Sequence, residues 1–195
     1  ADIHMYPCAF NTAIQNRSNI TIGNRTDAQV GVEIEGIPTN VHFEHCNIFV
    51  DTLSTSGTYG VHHDQGSTAG PYWDGLYFIG NHVDGGYANF WMYPYSSGNS
   101  GIGVIVDSNL MTNAYYCGYY NRMWGHNKSF SYNTIRSREN TSAQYYATYF
   151  DYYPVVDTMV CNKIYITNTG SSNAYGIYLG STINRNNTNN WAYCA

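Results

Sequence analysis

The sequence predicts an all-β fold, a right-handed parallel β-helix of about seven coils with a period of about 29 residues. Three observations predict it: a strand-like segment recurs at that period, an asparagine motif recurs between the copies, and the composition favours strands and turns. The 195 residues include 21 Tyr and 19 Gly, and only 11% are charged. The chain shows no amphipathic helical pattern. We therefore expect one β-solenoid domain, residues 1–195, without a capping helix.

The repeat contains two apolar columns that lie two residues apart, so both should face the same side of a strand. The first column reads Ile3, Val32, Val61, Phe90, Tyr119, Thr148 and Ile177, and the second reads Met5, Ile34, His63, Met92, Asn121, Phe150 and Leu179. The column between them should face outward. A β-sandwich with regularly spaced turns is the alternative fold. Parallel coils are favoured because equivalent residues recur, and not turns alone.

The asparagine motif places Asn between two apolar positions. It is clearest at Asn81, Asn109, Asn133 and Asn162, with weaker copies at Asn24, Asn47 and Asn186. Asn tolerates left-handed backbone better than other non-glycine residues, so we expect it to turn the chain sharply between two strands. Amides stacked on successive coils are then expected to bond along the axis as an asparagine ladder.

Charge and hydropathy exclude several partners. The net charge is −5 and the 8 Lys and Arg form no basic cluster, so we expect no nucleic-acid partner. No apolar run is long enough to span a bilayer, so we expect no membrane insertion. The sequence begins at Ala1, as a processed or excised chain does. Phosphate-binding glycine loops and serine nucleophile motifs are absent, and no cofactor is expected.

In its repeated columns and asparagine motif, the chain resembles the right-handed parallel β-helix repeat proteins. Pectate lyases, tailspikes and many surface proteins of bacteria and archaea share this superfold. The resemblance covers nearly the whole chain but implies the fold alone, since one fold carries many functions.

The resemblance to polysaccharide lyases and hydrolases of this fold implies that a catalytic site would be an acidic cluster on one face. The sequence offers one candidate for such a site. Glu33 and Glu35 on one coil occupy the same columns as His62 and Asp64 on the next, about 4.8 Å away. A surface pair of Glu33 and His62 beside two carboxylates is the favoured interpretation, and an enzyme is the less favoured one. No Arg or Lys shares these columns until Arg122, so a lyase would lack its basic residue.

Metal binding is not expected. His42 and His45 are three residues apart, so they point to opposite faces of a strand. His62, His63 and Asp64 alternate in direction as well. The cysteines show no zinc-site spacing.

The outward column carries aromatic residues on four successive coils. These are Trp91, Tyr120, Tyr149 and Tyr178. One interpretation is a binding strip for carbohydrate or protein, and the other is ring stacking that stabilises the surface by about 0.5–1.5 kcal/mol per pair.

Both ends of the predicted solenoid lack the polar caps that soluble solenoids carry. The chain is therefore either a piece of a longer β-helix or a unit that stacks end to end. Five cysteines leave at least one without an intrachain partner, and Cys8 and Cys194 lie near opposite ends. An interchain disulfide between neighbours is one interpretation. A buried small residue and a tail thiol is the other.

With these ends, few charges and a composition rich in Tyr, Asn and Thr, the chain looks like the amyloid-like sheath proteins of some methanogenic archaea. Those proteins build a tubular cell envelope. The resemblance implies an extracellular, disulfide-linked polymer whose partners are copies of itself. The alternative is a carbohydrate-binding or polysaccharide-cleaving β-helix domain with a glycan partner.

Overall fold

The computed structural model describes residues 3–5, 12–14, 19–21, 29–35, 39–64, 74–93, 102–122, 126–139, 143–151, 155–167, 172–180 and 191–192. Within these ranges the chain forms β-strands and contains no helix. The strands are β1 (Ile3–Met5), β2 (Thr12–Ile14), β3 (Asn19–Thr21), β4 (Gln29–Glu35), β5 (Thr39–Glu44), β6 (Asn47–Phe49), β7 (Thr58–Asp64), β8 (Asp74–Ile79), β9 (His82–Asp84), β10 (Ala88–Tyr93), β11 (Ile102–Asp107), β12 (Leu110–Ala114), β13 (Cys117–Arg122), β14 (His126–Ser131), β15 (Thr134–Ser137), β16 (Tyr145–Asp151), β17 (Val155–Val156), β18 (Thr158–Met159), β19 (Lys163–Tyr165), β20 (Ala174–Leu179) and β21 (Trp191–Ala192). No described segment is thus a helix long and apolar enough to cross a membrane.

Three large parallel sheets contain most of the described strands. Sheet 1 has seven strands in the order β1-β4-β7-β10-β13-β16-β20, sheet 2 has six in the order β17-β14-β11-β8-β5-β2, and sheet 3 has six in the order β19-β15-β12-β9-β6-β3. Strands β18 and β21 form a further parallel pair. The chain visits sheets 1, 2 and 3 in turn, and each strand pairs with strands one winding before and after it. This is a parallel β-helix, as predicted. The β-sandwich alternative is wrong, since its sheets are antiparallel.

Sheet 1 keeps the predicted register along its whole length. Val61 pairs with Val32 on one side and with Phe90 on the other. Tyr119 likewise pairs with Phe90 and with Thr148. The 29-residue period is therefore confirmed in this sheet.

Sheets 2 and 3 do not share a constant period. Equivalent turn positions between them are 35, 28, 24 and 29 residues apart in successive windings. The period changes because the links before and after sheet 1 vary in length. A long link, residues 65–73, leads into β8 and is followed by the short link 85–87 before β10. Later, the short link 123–125 leads into β14 and is followed by the long link 138–144 before β16. A long link on one side is offset by a short link on the other, so sheet 1 stays in register.

The inward side chains of the three sheets form one hydrophobic core. Phe43 and Phe78 stack at 5.4 Å in sheet 2, and Phe78 meets Phe90 of sheet 1 edge-on at 5.1 Å. Each fully buried phenylalanine stabilises the fold by about 1.5–3 kcal/mol. The polar members of the second column, His63 and Asn121, are buried as well. The columns read from the sequence therefore face inward.

Glycine at the first position of the repeat lets sheet 1 approach sheet 3 closely. A Cβ added at Gly31 would lie 2.6 Å from Ile48 Cγ2, and one at Gly118 would lie 2.7 Å from Ile135 Cγ2. Both distances are well inside van der Waals contact. The glycines are needed for packing, because a side chain there would collide with a core residue.

The turns between sheets 2 and 3 correct one prediction. The residue in left-handed backbone is the one before each asparagine: Gly80, Ser108, Tyr132 and Cys161 have φ between 54° and 66°. His45, which precedes Cys46 at the equivalent turn, has a φ of 56°. The asparagines Asn81, Asn109, Asn133 and Asn162 do not have positive φ. The conformational reason given for Asn is therefore wrong, because its side-chain amide, and not its backbone, is what this position uses. Asn47 is also misplaced by one residue, since Cys46 occupies the turn position.

Candidate functional site

The four asparagines form a continuous hydrogen-bonded ladder along the axis. Asn109 Oδ1 accepts the backbone N–H of Asn81 at 2.9 Å and Asn81 Nδ2 at 3.0 Å. Asn109 Nδ2 donates to Asn133 Oδ1 at 3.1 Å and to the carbonyl oxygen of Phe78 at 2.9 Å. Asn133 makes the same pattern with Asn162. The inner amides of Asn109 and Asn133 are saturated by protein groups, so the asparagine ladder holds windings together and offers little to a ligand there.

The candidate catalytic residues lie on neighbouring strands of sheet 1. The register places Glu33 beside His62 and Glu35 beside Asp64. His62 Nδ1 donates to both carboxylate oxygens of Glu33, at 2.7 and 2.9 Å. The side chains of Glu35 and Asp64 lie outside the described part of the structure. Because a carboxylate can only accept, Nδ1 is the ring nitrogen of His62 that carries a proton in this contact.

The surroundings of this pair are aromatic. The ring of His62 stacks on Tyr59, with centroids 4.7 Å apart and planes 14° apart. Burial and the Glu33 carboxylate raise the pKa of Tyr59 above its usual value. Glu33 and His62 have side chains that are 12% and 18% exposed, so this is a largely buried pair, and its histidine packs against a ring.

His42 contacts two polar side chains of its own strand and one aromatic ring. Its Nδ1 contacts Glu44 and its Nε2 contacts Asn40, each at 3.0 Å, and its ring stacks on Tyr77 at 4.1 Å. His45 lies in the left-handed turn. The described residues contain no group of three or more His, Cys, Asp or Glu arranged to hold a metal ion.

The predicted aromatic column is continuous in sheet 1. Trp91 stacks on Tyr120 with centroids 4.0 Å apart, and Tyr149 packs edge-on against Tyr120 at 4.9 Å and against Tyr178 at 4.8 Å. The four rings are therefore in contact along the axis, one pair stacked and two pairs edge to face. Tyr120 is only 5% exposed. It has no free face for a sugar, and this geometry favours the stacking interpretation at Tyr120.

A second aromatic column beside the first was missed from the sequence. Ala88 and Cys117 occupy the register position of Tyr59 and Tyr146. Tyrosine rings pack beside Ala88 and Cys117 on the outer face. Tyr87 stacks on Tyr116, with centroids 4.9 Å and planes 6° apart, and Tyr146 stacks on Tyr175, with centroids 4.9 Å and planes 11° apart. The signal was present, because tyrosines recur at the same period at positions 87 and 116 and at positions 146 and 175.

The two columns form one outer aromatic face on sheet 1. Burial, with smaller contributions from Asp151 and neighbouring tyrosines, raises the pKa of Tyr149 to about 12. Burial raises the pKa of Tyr116 and Tyr120 further above the usual value. The phenols therefore remain neutral well above physiological pH.

Sheet 3 carries a groove on its outer face, which the sequence analysis did not identify. It has a volume of about 580 Å³ and is lined by residues of β9, β12, β15 and β19, the four successive strands that include Asp84, Thr112, Arg136 and Tyr165. We call it the sheet 3 groove. Its residues are scattered through the chain and become adjacent only through the register.

The cysteines predicted to link neighbouring copies, Cys8 and Cys194, lie outside the described residues. Of the described cysteines, Cys46 and Cys117 are buried thiols and Cys161 is an exposed one. None of these three forms a disulfide in the structure.

Comparisons with family models, curated proteins and solved structures find no match to this chain. Inferences about function therefore rest on the fold, the outer aromatic face and the sheet 3 groove.

Proposed function

We propose that this chain is an extracellular structural protein that assembles end to end with copies of itself into a fibrous or tubular sheath or surface layer. The observation that carries the proposal is the open strand β20. Leu179 is 51% exposed, although Ile34, Met92 and Phe150 in the same inward column are at most 1% exposed. A further strand beside β20 would bury it.

The two outer strands of sheet 1 are suited to each other. Within the described residues, β1 pairs only with β4, and β20 pairs only with β16. Each therefore offers a row of backbone N–H and C=O groups, which is a template for another strand. Both strands belong to the same parallel sheet, so β20 of one copy can add to β1 of the next in the native direction.

The repeat register supports the same junction. Ile177 and Leu179 continue the columns that begin at Ile3 and Met5. Addition in this register aligns apolar positions across the junction. A head-to-tail contact of this kind does not close on itself, so it generates a filament. Disulfides through Cys8 and Cys194 are proposed to lock it.

Electron microscopy and sedimentation of the native protein, with and without reductant, test the proposal. We expect long particles that become shorter and sediment more slowly when disulfides are reduced. Leu179→Lys should abolish the filaments, because a charge at the open strand opposes strand addition. Leu53→Lys is the matched control, since Leu53 is 73% exposed between β6 and β7.

A monodisperse monomer in both conditions would contradict the proposal. So would filaments of Leu179→Lys that match those of Leu53→Lys in length and yield.

Polysaccharide cleavage is the second candidate function. The observation that favours it is the Glu33–His62 pair, with Glu35 and Asp64 aligned beside it. Incubation with acidic and neutral polysaccharides should then release products, and Glu35→Gln and Asp64→Asn should lose this activity. Equal product release by the native protein and both variants would exclude these residues as catalysts.

A further inference from the structure

The sheet 3 groove has the size and the position of a ligand site. Its volume of about 580 Å³ lies within the roughly 300–1,000 Å³ of small-molecule sites. It crosses four neighbouring strands, so it extends about 14 Å along the axis. An extended ligand lying parallel to the axis would contact one set of side chains from each winding.

One end of the groove carries a prearranged carboxylate. Asp84 Oδ1 accepts the hydroxyl of Thr112 and also Asn113 Nδ2 at 2.7 Å. His82 Nε2 contacts Thr112 Oγ1 at 3.2 Å. Both bonds to Asp84 reach Oδ1, so Oδ2 is the atom that can accept from a ligand hydroxyl. The network holds the carboxylate in place before any ligand arrives.

The backbone at this end of the groove is also unusual. Asn113 has a φ of 57°, the left-handed conformation, and it lies where the register between β12 and β15 shifts. This irregularity brings its amide to Asp84 in place of regular strand pairing. Such irregularities often mark binding sites.

The other end of the groove presents an exposed aromatic ring. The Arg136 guanidinium lies 4.8 Å from the ring centroid of Tyr165. Tyr165 is 47% exposed, unlike the nearly buried Tyr120 of the outer aromatic face. The cation fixes the ring from one side and leaves much of the ring open to solvent. An open ring beside fixed polar groups can pack against the C–H face of a sugar.

The charges of the groove identify the ligand class. Asp84 and Glu139 oppose the single arginine, Arg136, so the lining has no positive excess that would attract a polyanion. Hydroxyl, amide, carboxylate and guanidinium groups together supply both donors and acceptors. We propose that the sheet 3 groove binds a neutral oligosaccharide, with Asp84 and Asn113 bonding its hydroxyls and Tyr165 packing against a ring.

Saturation-transfer NMR and calorimetry of the full chain test this site, with cellohexaose, maltohexaose, mannohexaose and hexagalacturonate as probes. At least one neutral hexasaccharide should bind, and hexagalacturonate should bind at least tenfold more weakly. Tyr165→Ala should lower the affinity at least tenfold. Tyr132→Ala is the matched control, because Tyr132 is 60% exposed on a nearby turn and does not line the groove. Asp84→Asn should weaken binding while Tyr165→Phe preserves it.

Three results would overturn the proposal. They are no binding of any neutral probe at millimolar concentration, equal loss in Tyr165→Ala and Tyr132→Ala, and tightest binding of hexagalacturonate. The groove lies away from the outer strands of sheet 1, so these results are independent of whether the protein forms filaments.

Discussion

Replacing Asn109 by alanine should lower the free energy of unfolding by about 3–5 kcal/mol, because it removes a central rung of the asparagine ladder. The side chain makes four hydrogen bonds, two to Asn81 and one each to Phe78 and Asn133. A hydrogen bond contributes about 0.5–1.5 kcal/mol net, and a buried polar group left without a partner costs about 1–3 kcal/mol. Asn81 is 1% exposed, so its backbone N–H becomes such a group.

Two measurements check this value. Urea unfolding followed by tryptophan fluorescence reports the change in unfolding free energy, and the slope of the transition shows whether windings separate. Native-state hydrogen exchange reports the Asn81 amide directly, which should lose protection. Lys128→Ala is the control, since Lys128 is an exposed residue of β14, and its effect should stay within about 0.5 kcal/mol.

A loss below about 1 kcal/mol with the Asn81 amide still protected would refute the reasoning. It would mean that the backbone pairing of the sheets holds the turn without the amide.

Three further predictions follow from buried polar groups. Cys46→Asn should raise stability by about 1 kcal/mol in the same urea assay, because an amide there can donate to Asn81 Oδ1 and extend the asparagine ladder; a loss of stability would show that the turn lacks room. Tyr145→Phe should be neutral or stabilising, since the Tyr145 hydroxyl is buried without a hydrogen-bond partner among the described residues. Tyr119→Phe should instead destabilise the protein by about 1–3 kcal/mol, because the Tyr119 hydroxyl donates to Oδ1 of the buried Asn127. A lower melting temperature for Tyr145→Phe than for Tyr119→Phe would contradict this prediction. Burial raises the pKa of Tyr119 and Tyr145 well above the usual value, so above about pH 10 only the unfolded chain releases these two protons. The free energy of unfolding should therefore be constant below about pH 9 and, above about pH 10, fall by roughly 3 kcal/mol per pH unit for the two groups together. Urea midpoints that stay constant from pH 9 to 11 would exclude this prediction.

The fold was predictable because sheet 1 repeats without insertions. Residues from Val32 to Ile177 recur in one register, so a periodic pattern in the sequence maps directly onto parallel pairing. Sheets 2 and 3 gave a weaker signal, since the links around sheet 1 vary in length. The asparagines could be located from the sequence because their motif recurs. The left-handed conformation at Ser108 and Tyr132 could not be predicted, because these residue types have no preference for it.

The outer surface was harder to predict than the core. The first aromatic column followed from the outward alternation of strands, and its burial did not, because the neighbouring tyrosines fill the space around Tyr120. The sheet 3 groove depends on Asp84, Arg136 and Tyr165 meeting across strands whose separations differ. No fixed spacing relates these residues in the sequence. Their adjacency is set by the sum of the variable links.

The links between sheets vary in length, while sheet 1 keeps a constant register. A loop that doubles in length costs only about 0.6 kcal/mol in closure entropy. The link at residues 51–57, where Leu53 is exposed to solvent, can therefore accept an inserted peptide without displacing the strands of sheet 1. Copies joined along the axis would repeat that peptide at regular intervals, so the same architecture is a natural display scaffold.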